Sequence, residues 1–409
     1  LHPEWAMRSP EGGVTADEKL TEREVYGLVW MCPARRPGYT DQWLLPMIEE
    51  VAREYPVDGI HHDYVRYPGD AAPDTYCFCD YCLEHFWSDN LFFYPSRPET
   101  QVPLKNVRLR AESNWDLDFT VKPANWTQLT REEKAQVILE GKTINRPDLD
   151  YFFYELRCDA ISRFVREAWE RASAVRPAVE MSAAVFSNAM KSGRFIGQRW
   201  NDFAPWVDIL MTMTYRSHFQ GSFEDYQVYL GDVVRAQKAW AGSTSSLYVG
   251  LDAHYIFREE REPWERASGL LKSGENSKDE ELTALMKSNL DHLSRFSAAG
   301  AKELSAKFKS FQKGRLTKEQ LTAEITRILT DPPRGLFPEE KLVEAIETVR
   351  RAGGRGVMVF AASHLTRNKL WGGLEKAFSF PARPAQEVLP EGNTLSIRSW
   401  RELRKSQLF

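Results

Sequence analysis

No stretch of this chain approaches the ~18 consecutive apolar residues that a membrane-spanning helix requires, so a helical transmembrane segment is not expected. A charge excess is missing too: 54 Lys and Arg stand against 58 Asp and Glu, a net charge of −4. No field of one sign is therefore available to recruit a nucleic-acid backbone or an anionic membrane. There is no Gly-rich phosphate loop between a strand and a helix and no Ser-centred nucleophile elbow, which argues against nucleotide and acyl-transfer chemistry. No internal repeat is visible, so the 409 residues read as one large domain with insertions or as two domains. The opening Leu1-His-Pro-Glu-Trp5 has neither an initiator Met nor a signal sequence, and reads as a processed product or a fragment.

What is abundant is aromatic. The 13 Trp and 15 Tyr are generous for a soluble protein, and flat rings stack on the apolar faces of sugars, although most such rings belong to the core. Five short apolar runs, at 57–63, 179–186, 207–215, 247–253 and 356–361, follow helical patterns, among them 41–55 and 152–176. Near-continuous apolar strands alternating with helices are the mark of a parallel sheet covered on both faces. Two stretches break the rhythm: 90–150, polar and rich in Pro, Asn and Trp, and 258–335, highly charged with helical spacing in 280–311 and 317–329. Both read as insertions after a strand, the second as a small helical subdomain. The expected organisation is a barrel domain over 1–380 with a surface tail at 381–409.

In the run Val57-Asp-Gly-Ile-His-His-Asp63, alternation places Gly59, His61 and Asp63 on one face and Asp58, Ile60 and His62 on the other. With Ile60 toward the helices, Asp63 points inward at the carboxyl end of its strand, where barrel enzymes carry catalytic groups. A carboxylate there can act as nucleophile or as general acid/base. The plainer role is a turn cap or an ion pair with Arg66.

Asp58-Gly-Ile-His-His-Asp-Tyr-Val-Arg-Tyr-Pro68 resembles the signature of the glycosyl-hydrolase-like family 10 proteins, and His2–Trp5, Pro33–Tyr39, Gln198–Trp206 and Val207–Tyr215 resemble further blocks of that family in the same order. The resemblance implies a (β/α)8 TIM barrel, action on glycosidic bonds of polysaccharide or peptidoglycan glycan chains, and an extracellular or periplasmic location. His62 departs from it, standing where the family has an apolar residue. Aligned this way, Trp5 follows the third barrel strand, so the first three strands are expected to be absent from this chain.

A glycosidase uses two carboxyl groups. Asp252, at the end of the 247–253 strand beside His254, is the first choice for the partner of Asp63. Asp58, Glu180 and Asp208 begin their strands, where structural roles are expected, and Asp202 is a loop candidate whose plainer role is a helix cap. His61, Tyr64, Arg66, Tyr215 and His254 are the expected substrate-binding residues, with a hydrogen-bonded network beneath the site as the alternative.

Cys77-Phe-Cys79-Asp-Tyr-Cys82 brings three thiols into six residues, a spacing that can supply three ligands of a closed zinc site. A disulfide with a free thiol, or three unliganded thiols, are the alternatives. The segment is similar to the zinc loop of family 42 β-galactosidases, in which a fourth Cys lies well upstream; Cys32 corresponds to it here, and Cys158 reads as a core residue. The expected zinc is structural, and catalysis needs no cofactor. The leading reading is thus a glycoside hydrolase acting on a carbohydrate. Its rivals are a non-catalytic carbohydrate-binding barrel and a metal-dependent hydrolase using His61, Asp63 and His254.

Overall fold

A computed structural model describes residues 2–15, 29–69, 75–89, 125–140, 147–242, 245–273 and 279–379. The five expected strands are present: β1 (Gly59–His62), β2 (Glu180–Phe186), β3 (Ile209–Met213), β4 (Ser246–Asp252) and β5 (Gly356–Phe360). They lie in one sheet in chain order, and the printed registers of β1 with β2 and of β4 with β5 are parallel. Parallel neighbours need a crossover between them, and helices supply it. The architecture is mixed α/β and corresponds to part of a (β/α) barrel; eight strands are not seen among the described residues. The described residues form two compact units, one within 1–211 and 239–246, the other within 212–238 and 247–379.

In the first unit, α1 (Leu45–Glu54) continues a π-helical turn at Thr40–Leu44 and buries Leu45, Ile48 and Ala52, a stripe at helical spacing. The stripe packs on α4 (Pro147–Val175). Just beyond α4, Arg176 donates to the carbonyls of Ala52 and Tyr55, both at 2.7 Å, satisfying acceptors that the end of α1 leaves open. At the entry to the sheet the Asp208 carboxylate accepts the Met181 N–H at 2.8 Å, and the Asp208 N–H donates to the Met181 carbonyl at 2.7 Å. Asp208 thus ties β2 to β3.

Between β1 and α4 lie α2 (Asp80–Asp89) and α3 (Arg131–Leu139), the latter opened by a Thr130–Glu133 capping box. Phe78, Leu83, Phe86, Trp126, Ile138, Phe153 and Leu156 form their shared core. Most of the stretch 90–150 outside these elements, like the tail 381–409, lies outside the described residues.

The second unit holds α6 (Phe223–Ala241) ahead of β4, and the charged stretch after β4 is four helices: α7 (Arg258–Ser273), α8 (Asp279–Ser294), α9 (Ala298–Gln312) and α10 (Lys318–Thr330). α7 contacts α8 and α10, and α9 contacts α8 and α10, so each helix buries its apolar stripe on two neighbours. The periodicity over 280–311 is one pattern in sequence but two helices in space. Ser297 divides it, its hydroxyl accepting the Gly300 N–H at 3.1 Å as the cap of α9. A further helix, α11 (Glu339–Arg351), leads into β5. In the first unit, α5 (Ala189–Ile196) follows β2 and ends at Gly197, whose φ of 75° is a left-handed cap.

Candidate active site

β1 alternates as its sequence predicts. His62 is 6% exposed and meets the Phe164 ring of α4 edge-on at 5.3 Å. Burial, reinforced by neighbouring His61, pushes its imidazole down to about 4, so at neutral pH His62 is an uncharged ring. A neutral ring can pack among apolar groups such as Phe164 without the cost of burying a charge.

His61 lies on the opposite face, beside its register partner Ser182 on β2, with Nδ1 2.9 Å from the Ser182 hydroxyl. Burial lowers the His61 pKa, and the nearby Asp63 charge acts in the other direction. Asp63 itself is exposed just past the strand's end, and its Oδ1 accepts the Tyr64 N–H at 2.8 Å. Tyr64 holds φ at 53°, a left-handed conformation uncommon for a bulky residue and typical of functional turns.

The loop after Asp63 is aromatic. The Arg66 guanidinium sits 4.9 Å from the Trp30 ring, 4.9 Å from the Tyr64 ring and 5.1 Å from the Phe186 ring. Such a cation among rings is a rigid platform, each contact worth about 0.5–1 kcal/mol at an accessible site. Buried Gln198 fixes the loop from behind: its side chain accepts the Phe186 N–H at 3.0 Å and donates to the carbonyls of Val65 at 3.2 Å and Ala184 at 3.0 Å. Asp202 pairs with Arg199, which also pairs with the buried Glu155. The Asp202 carboxylate therefore belongs to an ion triad anchored to α4 through Glu155.

The second unit presents Asp252 at the carboxyl end of β4, opposite Phe360 of β5. Asp252 is 5% exposed, and its Oδ1 accepts the backbone N–H groups of His254 at 2.7 Å and Tyr255 at 3.3 Å. The Nδ1 of His364 lies 3.7 Å from the same oxygen. Tyr215, beyond β3, faces the Phe360 and His218 rings, each with centroids 5.7 Å away.

Back in the first unit, Cys32, Cys77, Cys79 and Cys82 are all buried and free, with ligand atoms within 4.8 Å of one another. A tetrahedral site with metal–sulfur bonds of about 2.3 Å has sulfur–sulfur edges of about 3.8 Å, so the quartet has the right size for a thiolate-bound ion. Hydrogen bonds from Cys32 first, then Cys77 and Cys82, hold the Cys79 thiol far below its usual range. Tyr67, at the end of the loop that begins at Asp63, packs beside these sulfurs: burial first, then Cys32, Cys82 and Cys77, pushes its hydroxyl well up. The Arg157 guanidinium lies over the Tyr67 ring at 4.5 Å. Among the described residues no other group of His, Cys, Asp and Glu converges in this way.

Residues 2–238, more than half of the chain, match the family DUF4015, described as a "putative glycosyl hydrolase domain". The chain belongs to that family. No curated protein matches it.

Membership in DUF4015 supports glycosyl hydrolysis and a carbohydrate substrate at the level of class. The DUF4015 match contains His61, Asp63, Tyr64, Arg66, Tyr215 and all four clustered cysteines, while Asp252 and His254 lie beyond it. Sequence reasoning did not single out Trp30, Ser182 or Gln198. Ser182 is recoverable only from strand register, because nothing in its own neighbourhood marks it. No described helix is long and apolar enough to cross a membrane.

Proposed function

We propose that the protein is a glycoside hydrolase that cleaves poly- or oligosaccharide with Asp63 as one catalytic carboxylate. The observation that carries this reading is the setting of Asp63: exposed at the carboxyl end of β1, on the face of His61, and followed at once by the Trp30–Tyr64–Arg66–Phe186 platform. Aromatic faces beside a carboxylate suit a sugar ring presented to an acid/base or nucleophilic group. The likeness of 58–68 to the family 10 signature supports the same role and an eight-stranded barrel as the complete fold. His61, Tyr64, Arg66, Tyr215 and His254 are the proposed contacts to sugar hydroxyls.

Asp252 is the proposed second carboxyl group, from its place at a strand end. Retention requires about 5–5.5 Å between the two groups and inversion about 6.5–9.5 Å. The cysteine quartet is proposed to hold zinc. Four thiolates leave no open position for water, so the ion would rigidify the segment around Tyr67 and take no part in the reaction.

A second reading, a carbohydrate-binding protein without turnover, is favoured by one observation: Asp252 Oδ1 already accepts two backbone N–H groups, as a purely structural cap would. Reducing-sugar release from a panel of plant, bacterial and fungal polysaccharides and peptidoglycan strands separates the two. Cleavage that survives folding controls but is lost in both Asp63→Asn and Asp252→Asn supports the carboxylate pair. Binding without cleavage by the unaltered chain supports the second reading.

A further inference from the structure

The second unit contains a pocket of about 360 Å3, within the range of about 300–1,000 Å3 typical of small-ligand sites. It opens between Gln220 of the loop after β3 and the segment His254–Glu265 after β4. At its base is Arg261, only 4% exposed and held by packing of its guanidinium 4.9 Å from the Phe337 ring. Arg261 Nη1 donates to Asn368 Oδ1 at 3.2 Å, and the Asn368 amide donates in turn to the Ala253 carbonyl at 3.0 Å. Its Nε, by contrast, is buried with no hydrogen-bond partner among the described residues, and so is Nδ1 of His254.

Arg261 and His254 share one carboxylate at ion-pair distance: Glu265 Oε1 stands 3.5 Å from Arg261 Nε and 3.7 Å from His254 Nε2, the other ring nitrogen. The charges of the lining cancel: Arg258 and Arg261 face Glu262 and Glu265. Arg258 is moreover already committed to the carbonyls of Phe219 at 2.7 Å and Arg216 at 2.9 Å. A balanced lining disfavours a ligand of either sign. It suits groups that donate and accept at once, which hydroxyls do: one can accept from Arg261 or His254 while donating to Glu262 or Glu265. The half-exposed Tyr255 ring supplies an apolar wall beside them.

From this geometry we infer that the pocket is a binding subsite for an uncharged sugar ring bearing adjacent hydroxyls, held by Arg261, His254, Glu262 and Glu265 and flanked by Tyr255. The inference rests on the glycosidase reading for its substrate class. Its test is titration calorimetry on the full chain carrying Asp63→Asn, which prevents turnover, with cellohexaose, xylohexaose, maltohexaose, chitohexaose and the charged comparator hexagalacturonate. At least one neutral oligosaccharide binds, and adding Tyr255→Ala weakens it about ten-fold and Glu262→Gln at least three-fold. Both positions are exposed, so folding is retained; Trp43→Ala, on an exposed site of α1's leading turn, changes nothing. Binding of hexagalacturonate alone, of no probe, or of a neutral probe with unchanged affinity in both variants overturns the inference. Cleavage by the unaltered chain with unchanged binding in the variants sinks the subsite and leaves the glycosidase standing. Tyr255-dependent binding without cleavage does the reverse.

Discussion

His61 Nδ1 lies 2.9 Å from the hydroxyl of Ser182, because the parallel register of β1 and β2 sets the two residues side by side. Ser182 thereby fixes the His61 ring, whose charge state Asp63 influences. Ser182→Ala is expected to leave the fold intact and to lower kcat about ten-fold, with a shift of the pH profile on its acidic limb, since His61 titrates below its ordinary range. Kinetics against pH for both proteins check this; an unchanged profile contradicts it.

His62, on the other face, predicts a stability effect. Its folded pKa of about 4 lies below the ordinary histidine value of 6.5, so the unfolded chain takes up a proton first. The stability from keeping His62 neutral is complete above pH 6.5 and drains away as pH falls toward 4, by roughly 3 kcal/mol in all. His62→Leu removes this component of the acid sensitivity. Urea unfolding at pH 7.5 and 4.5 reads the difference, and equal pH sensitivity in both proteins would contradict the assignment.

Two glycines of the second unit should respond oppositely to alanine. A Cβ at Gly250 would stand 2.4 Å from the Thr212 carbonyl oxygen, a backbone atom that cannot swing aside, whereas nothing lies within 4 Å at the exposed Gly269 of α7. Gly250→Ala is expected to cost about 2–3 kcal/mol, and Gly269→Ala to add about 1 kcal/mol through helix propensity. Thermal melts of the two variants show whether the signs differ.

The cysteine quartet predicts close to one equivalent of tightly held zinc in protein prepared with zinc present. Cys79→Ser loses the metal and lowers the melting temperature, and limited proteolysis of that variant cuts first near Tyr67, which packs against the sulfurs. Metal analysis that finds no zinc in the unaltered chain rules the site out.

Much of this was legible in sequence because burial on both faces leaves a plain record. The runs at 179–186 and 247–253 read as strands since every position but Glu180 and Asp252 is apolar or small, and period-two alternation put Asp63 and His62 on opposite faces. Cys77, Cys79 and Cys82 stood out through spacing, whereas Cys32 joined them only through the likeness to the family 42 zinc loop. Relationships across elements left no such trace. Ser182 and Gln198 reach the Asp63 loop through register and packing, and the commitment of Asp252 Oδ1 to His254 and Tyr255 amides depends on how the chain turns after β4. Arg261 looked like one charge in the charged stretch 258–335, though its guanidinium is buried against Phe337.

The central claim is that Asp63 performs chemistry on a glycosidic bond, and the most direct measurement is kcat for Asp63→Asn on a polysaccharide that the unaltered chain cleaves. The account predicts a fall of about a thousand-fold with oligosaccharide affinity and melting temperature essentially unchanged. Turnover within a few-fold of the unaltered protein would contradict it.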